Sequence, residues 1–276
     1  MHLIRFLSDG FNRPQYGVRV DEACALRIHG DILGDWHVTN ERIAIRKLLA
    51  PIQPKVILAI GLNFRSHAHE TGQPIPEHPV LFMKSPWVTQ NPNDPIVIPT
   101  HLPSTQVDYE AELVVVLGKT CKNATPDNAL DFVLGYTCGN DVTARDWQKS
   151  FGGNQWCRGK SFDTFAPLGP AIVTPDEIRD PQSLNLKAYV NGEVRQSGNT
   201  SDHIFSVRDL IVFLSGSTTL PAGTVIFTGT PTGAGFARNP PLFLKQGDVV
   251  TIEIEGLGSL TNPVVTESAL HKGMIV

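Results

Sequence analysis

The chain has 276 residues, 41% hydrophobic and 18% charged, the balance of a folded protein with a sizeable core. A formal net charge of −4 leaves no basic footprint, which argues against nucleic acid and anionic membranes as partners. No apolar stretch approaches the ~20 residues of a membrane-spanning helix. The opening apolar run breaks at Ser8-Asp9, too early for a signal peptide. Cys24, Cys121, Cys138 and Cys157 stand far apart without a C-x-x-C pair, so reduced thiols and a cytoplasmic location are expected.

In chain order, His2–Phe6, Tyr16–Val20 and Ala25–Ile28 read as short strands, followed by a helix-like piece over Glu41–Leu49. Pro51-Ile52-Gln53-Pro54 is a stop and linker, because each proline restricts its own backbone and that of the residue before it. We place a boundary there, with a small N-terminal domain over 1–53 and a larger one over 54–276. Lys55–Ile60 is a buried strand leading into Gly61-Leu62-Asn63-Phe64-Arg65-Ser66-His67-Ala68-His69-Glu70. In a short helix His67 and Glu70 sit at i and i+3 and touch, giving a histidine with an orienting carboxylate. An exposed polar loop is the bland alternative. Pro74, Pro76 and Pro79 exclude helix and suit a hinged flap.

Val80–Lys84 reads as a strand, then a proline-rich connection holds a short strand at Ile96–Ile98. In Val107-Asp108-Tyr109-Glu110-Ala111-Glu112-Leu113-Val114-Val115-Val116-Leu117 the aliphatic half is a strand buried on both faces. Period-two alternation puts Asp108, Glu110 and Glu112 on one face. Neighbouring carboxylates there stand ~7 Å apart, and each ionised pair repels by roughly 2–3 kcal/mol at an effective dielectric near 20. Either that face meets water or a cation sits on it, and a second acidic cluster downstream favours the cation.

Thr125-Pro126-Asp127-Asn128 is expected to cap a short helix to Phe132. Val133–Cys138 is a strand delivering Asp141, with Arg145 and Gln148 following and Asp146 turned to structural use. Lys160, flanked by Gly159 and by Phe162 two positions on, reads either as a partly desolvated lysine or as the commoner lysine of a surface turn. Thr174-Pro175-Asp176-Glu177 reads as a capping box for another short helix, and Asn191-Gly192 as a hairpin turn between Leu186–Val190 and Glu193–Gln196. Ser206 to Asp209 caps a helix over Leu210–Leu214. The strand Thr224–Thr228 ends in Gly229-Thr230-Pro231-Thr232-Gly233-Ala234-Gly235, a turn whose N–H groups approach an anion closely, without the spacing of a Walker loop. Val249–Ile254 and Leu260–Val265 are the last strands expected. Strands dominate, without regular β-α alternation, so the fold class is mixed, β-rich α+β.

Five ordered runs resemble the fumarylacetoacetate hydrolase family: Gly61-Leu62-Asn63-Phe64 with His67 and Glu70; Asp108-Tyr109-Glu110-Ala111-Glu112; Asn140-Asp141-Val142-Thr143-Ala144-Arg145-Asp146; Gly159-Lys160-Ser161-Phe162-Asp163; and Gly229-Thr230-Pro231-Thr232-Gly233. They span roughly residues 54 to 265. The resemblance implies a β-roll, barrel-like catalytic domain, a small N-terminal β domain and a homodimer. It also implies one Mg²⁺ or Mn²⁺ ion per chain, with Ca²⁺ as a substitute, on Glu110, Glu112 and Asp141. Asp108 is not usually counted among the ligands. His67 and Glu70 match the family's lid dyad, and Lys160 its charge-stabilising lysine. Arg145 and Gln148 line the substrate cavity, while Thr230, beside Gly229, holds a substrate carboxylate or carbonyl. The chain lacks the namesake enzyme's longer N-terminal domain and extra aspartate ligand, which argues against fumarylacetoacetate as substrate.

Three oxygen-only carboxylates suit a hard ion that acts as a Lewis acid on a 2-oxo acid. The expected reaction is hydrolysis of a C–C bond in an acylpyruvate or related 2,4-dioxo acid through an enolate. Oxaloacetate decarboxylation or keto–enol tautomerisation is the alternative. A non-catalytic metal- or metabolite-binding protein is the alternative of another class.

Overall fold

The computed structural model describes residues 1–269, so residues 270–276 of the expected second domain lie outside it. The chain opens on β1 (His2–Leu7), β2 (Gln15–Arg19), β3 (Cys24–Gly30), β4 (Trp36–Ala44) and β5 (Lys47–Leu49). Next come β6 (Val56–Gly61), α1 (Arg65–Glu70), β7 (Val80–Lys84), β8 (Thr89–Gln90) and β9 (Ile96–Ile98). The middle holds β10 (Val107–Asp108), β11 (Ala111–Leu117), β12 (Val133–Asn140), β13 (Thr143–Ala144), α2 (Trp156–Gly159) and β14 (Ala166–Val173). Last are β15 (Asn185–Val190), β16 (Glu193–Asn199), α3 (Val207–Ser215), β17 (Thr224–Phe227), β18 (Val249–Ile254) and β19 (Gly258–Thr266).

The large sheet runs β4-β3-β2-β1-β14-β12-β11-β17-β6-β7, with β5 added to β1 and β8 to β14. A five-stranded sheet, β16-β15-β18-β19-β9, packs over its middle. The architecture is the expected mixed α+β, but among the described residues no barrel closes, because β4 and β7 end the sheet without pairing with each other. The N-terminal strands extend the large sheet, since β1 pairs antiparallel with β14 through His2↔Val173 and Leu3↔Ile172.

β11 is buried throughout, as its aliphatic run requires. Ala111, Leu113, Val115 and Leu117 join the core shared with Leu186, Ala188, Val250 and Ile252 of the smaller sheet. Val114 and Val116 point into a second core with Ile57, Ala59, Ile172 and Phe227. A strand between two apolar layers has no solvent face on which to hide a charge.

Three local expectations fail for non-local reasons. Glu41–Leu49 is not helical: Ile43 pairs with Ala25 and packs on Ile4 and Phe6, which holds the segment extended. Thr125 does not cap a helix; its N–H is taken by Asn128 Oδ1, and only a short 3₁₀ turn, Ala129–Phe132, follows. Thr174 caps nothing either, because its hydroxyl accepts from the N-terminal ammonium at 2.5 Å, and only a turn forms there. By contrast Asn191 and Gly192, both at positive φ, make the expected hairpin turn, and Ser206 with Asp209 forms a reciprocal capping box on α3.

Candidate metal centre and active site

One end of the large sheet collects the chemistry. β6 and β17 run parallel, so the loops after Gly61 and Phe227 leave at the same end. β11 lies antiparallel to β17 and β12, so its N-terminal end meets the C-terminal ends of both. The β11–β12 register, Ala111↔Asn140, carries one step further to set Glu110 beside Asp141, and the Asp141 N–H donates to the Glu110 carbonyl at 2.9 Å. Ligand oxygens of Glu110, Glu112 and Asp141 lie within 4.8 Å of one another, and all three residues are buried. The expected trio therefore converges. Asp108 does not share its row: Tyr109 and Glu110 break the strand between β10 and β11, and Asp108 pairs with Arg145 Nε at 2.8 Å.

Cations offset most of this charge. Lys160 Nζ donates to Glu110 Oε2 at 2.6 Å and Asp141 Oδ2 at 2.5 Å. Arg145 Nη2 donates to Glu110 Oε1 at 2.6 Å, and Lys84, a residue the sequence reading passed over, donates to Asp141 Oδ1 and to the Val142 carbonyl. Burial alone would raise the Glu110 pKa, but Arg145 and Lys160 overcome it and hold the carboxyl well below its usual range. Burial opposes the charge of Lys160 as well, and Asp141 with Glu110 more than restores it. Lys84 is moved down to about 8 by burial, with Asp141 opposing the shift.

Glu112 is the exception. Among the described residues it forms no ion pair, and its hydrogen bond comes from the Gly229 N–H at 2.7 Å. Burial, then the charges of Asp141 and Glu110, push its carboxyl pKa well above the usual value. Four buried acids, with Asp108 included, face three buried bases. A divalent ion on Glu110, Glu112 and Asp141 supplies the missing positive charge through hard oxygen ligands, so the residues present fit such an ion.

Three amides of the glycine turn after β17 hold the chain's own acids. Gly229 N–H takes Glu112, Gly233 N–H takes Glu70 Oε1 at 2.9 Å, and Gly235 N–H takes Asp108 Oδ1 at 2.7 Å. Gly229 and Thr230, expected to touch substrate, both carry internal hydrogen bonds. Gly229 is not among the residues lining the cavity. Thr230 is, but its hydroxyl donates to the Ala111 carbonyl at 2.9 Å and accepts from Gln196.

α1 forms as expected and brings His67 Nδ1 to Glu70 Oε2 at 2.9 Å. Its position is pinned by Asn63, whose amide spans the Phe205 and Thr228 carbonyls and accepts from the Phe205 N–H. His67, Glu70, Glu110, Glu112, Asp141, Arg145, Gln148 and Lys160 all line one cavity of about 390 Å³. Gln148 accepts from Arg145 at 3.1 Å through Oε1, turning its NH₂ end to other use. Trp156, Phe82 and Phe236 add apolar wall that the sequence reading did not assign. Lys84 had a legible signal: alternation along β7 places it on the buried side with Phe82, whereas Leu81 and Met83 are exposed, and a buried lysine requires an acid.

The open mixed sheet, with acids and cations gathered around one cavity at its end, defines an enzyme acting on a small molecule. The family described as fumarylacetoacetate (FAA) hydrolase C-terminal matches residues 56–265, and the chain belongs to that family. Oxaloacetate tautomerase fahd2 of Xenopus laevis, a mitochondrial protein, is 48% identical over 231 residues, covering 82% of this chain and 72% of the relative. That name lends no support to a cytoplasmic location. Among solved structures, 5-carboxymethyl-2-hydroxymuconate delta-isomerase from Mycobacterium smegmatis is 37% identical with a TM-score of 0.83, covering 97% of this chain and 100% of that one. A fumarylacetoacetate hydrolase from Exiguobacterium antarcticum is 37% identical with a TM-score of 0.84 at the same coverage.

Proposed function

We propose that the protein interconverts the keto and enol forms of oxaloacetate, with Mg²⁺ or Mn²⁺ at Glu110, Glu112 and Asp141. The observation that carries this reading is the state of His67. Its Nδ1 is committed to Glu70, while Nε2 has no hydrogen-bond partner among the described residues and the ring lines the cavity. The carboxylate favours the Nδ1–H tautomer, which makes Nε2 the basic atom. Tautomerisation asks for nothing more than a proton moving between carbon and oxygen. Similarity to the frog tautomerase supports oxaloacetate over the acylpyruvate expected first.

In the keto-to-enol direction, the C3–H bond breaks and its electron pair forms the C2–C3 double bond. Nε2 of His67 receives the proton, and Glu70 balances the imidazolium. Negative charge gathers on the C2 oxygen. Lys160 has three N–H donors and spends two on Glu110 and Asp141, leaving one for that oxygen. Return of the proton to the oxygen completes the enol. When bound, the divalent ion supplies Lewis-acid polarisation of a keto group. Arg145 keeps Glu110 ionised and fixed, and the NH₂ of Gln148, without a hydrogen bond among the described residues, is a donor for a substrate oxygen.

Hydrolysis of an acylpyruvate is the second reading, favoured by the same His67–Glu70 pair, since it equally suits water activation. Enol–keto interconversion of oxaloacetate and cleavage of acetylpyruvate, each measured with Mg²⁺ for wild type and His67→Ala, separate the two. We expect wild type to accelerate interconversion and His67→Ala to lose it about 100-fold. Cleavage of acetylpyruvate without interconversion would favour the hydrolase, loss of carbon dioxide a decarboxylase, and no turnover a binding protein.

A further inference from the structure

Oxaloacetate carries two carboxylates, and the arrangement above accounts for one end of it. The cavity-lining cations differ in what they already hold. Arg145 is committed to Asp108, Glu110 and Gln148, and Lys160 to Glu110 and Asp141. Lys149 lines the same cavity from its exposed side, and among the described residues no carboxylate, hydroxyl or carbonyl takes its ammonium. That ammonium instead stands 4.2 Å from the centroid of the Phe236 ring, which also carries the Arg145 guanidinium at 4.1 Å. Partial burial and then the neighbouring Arg145 charge lower its pKa, with Asp108 opposing the shift.

We propose that Lys149 is a specificity-determining residue that receives the distal carboxylate of a dicarboxylic 2-oxo acid, with Phe236 as the plate on which its ammonium rests. The inference deepens the oxaloacetate reading and rests on it. Beside the metal centre and Lys160 the cavity is walled by Trp156, Phe82 and Phe236, and Lys149 is the lining cation left for the far carboxylate of a substrate bound there by its 2-oxo end. Burying that charge unpaired is costly, so an uncommitted cation at the cavity mouth decides between a diacid and a neutral analogue. The ion pairs of Glu110 and Asp141 run to Lys84, Arg145 and Lys160, so replacing Lys149 removes none of them.

The test compares oxaloacetate with its 4-methyl ester, which keeps the 2-oxo end and neutralises the far one. Interconversion of both is measured with Mg²⁺ for wild type, Lys149→Met and Lys149→Arg. We expect Lys149→Met to lower kcat/KM for oxaloacetate about tenfold, through KM, and to erase most of the preference over the ester. Lys149→Arg should keep that preference. An unchanged preference in Lys149→Met, or an equal loss on both substrates, overturns the assignment while leaving the tautomerase reading in place. A wild type inactive on oxaloacetate overturns that reading, and the assignment with it.

Discussion

At the scale of single residues, the site is a problem in buried charge. Glu110 and Asp141 have cations and Glu112 has a backbone amide, so the trio is both ordered and short of positive charge. Lys84 shows the limit of reading pairs from sequence. It stands 57 positions from Asp141, and nothing local to either residue names the other. His203 is a buried charge problem of the opposite kind. Its ring packs edge-on against Phe64, Nδ1 meets Gln182 Nε2 at 3.2 Å, and Nε2 is buried without a partner among the described residues. Burial lowers its pKa from 6.5 to about 4, so the folded chain binds its proton more weakly than the unfolded chain does. Its contribution is therefore intact above pH 6.5 and is lost as pH falls toward 4, by about 1.4 kcal/mol per pH unit. Urea unfolding midpoints at pH 7.0, 5.5 and 4.5 should fall less steeply for His203→Gln than for wild type. Parallel falls would contradict this.

At the scale of elements, the turn after β17 organises acids from three parts of the chain through three glycine amides. Gly233 shows why glycine is needed. It has φ +95°, and a Cβ there would lie 2.2 Å from the Arg195 carbonyl oxygen. Gly233→Ala should cost roughly 2–4 kcal/mol and loosen Glu70, whose Oε1 rests on that amide. Denaturant titration together with kcat would show stability and turnover falling together; unchanged values would mean the turn does not hold the dyad. Elements fixed by local chemistry were legible, such as the Asn191-Gly192 hairpin and the Ser206–Asp209 cap. Those fixed by distant partners were not: Thr174 lost its cap to Met1, and Ile43 its helix to Ala25.

At the scale of the whole molecule, sheet topology does the assembling. Parallel β6 and β17 with antiparallel β11 and β12 bring His67, Glu110, Glu112 and Asp141 to one sheet end from stretches far apart in the chain. Residue types along each strand announced the acids, since a buried aliphatic strand that begins Ala111-Glu112 must answer for its charge. Their convergence came from register, and the use of Gly229 and Thr230 for internal bonds from loop geometry, neither of which is written in local sequence. If the trio works by holding a divalent ion, oxaloacetate interconversion measured as Mg²⁺ or Mn²⁺ is added back to chelated protein shows it most directly. The rate should drop to the uncatalysed background with chelator and return saturably with either ion. Glu112→Gln should need about 100-fold more ion for the same recovery. Full activity in the chelated wild type, or a Glu112→Gln titration that overlays it, would contradict the account.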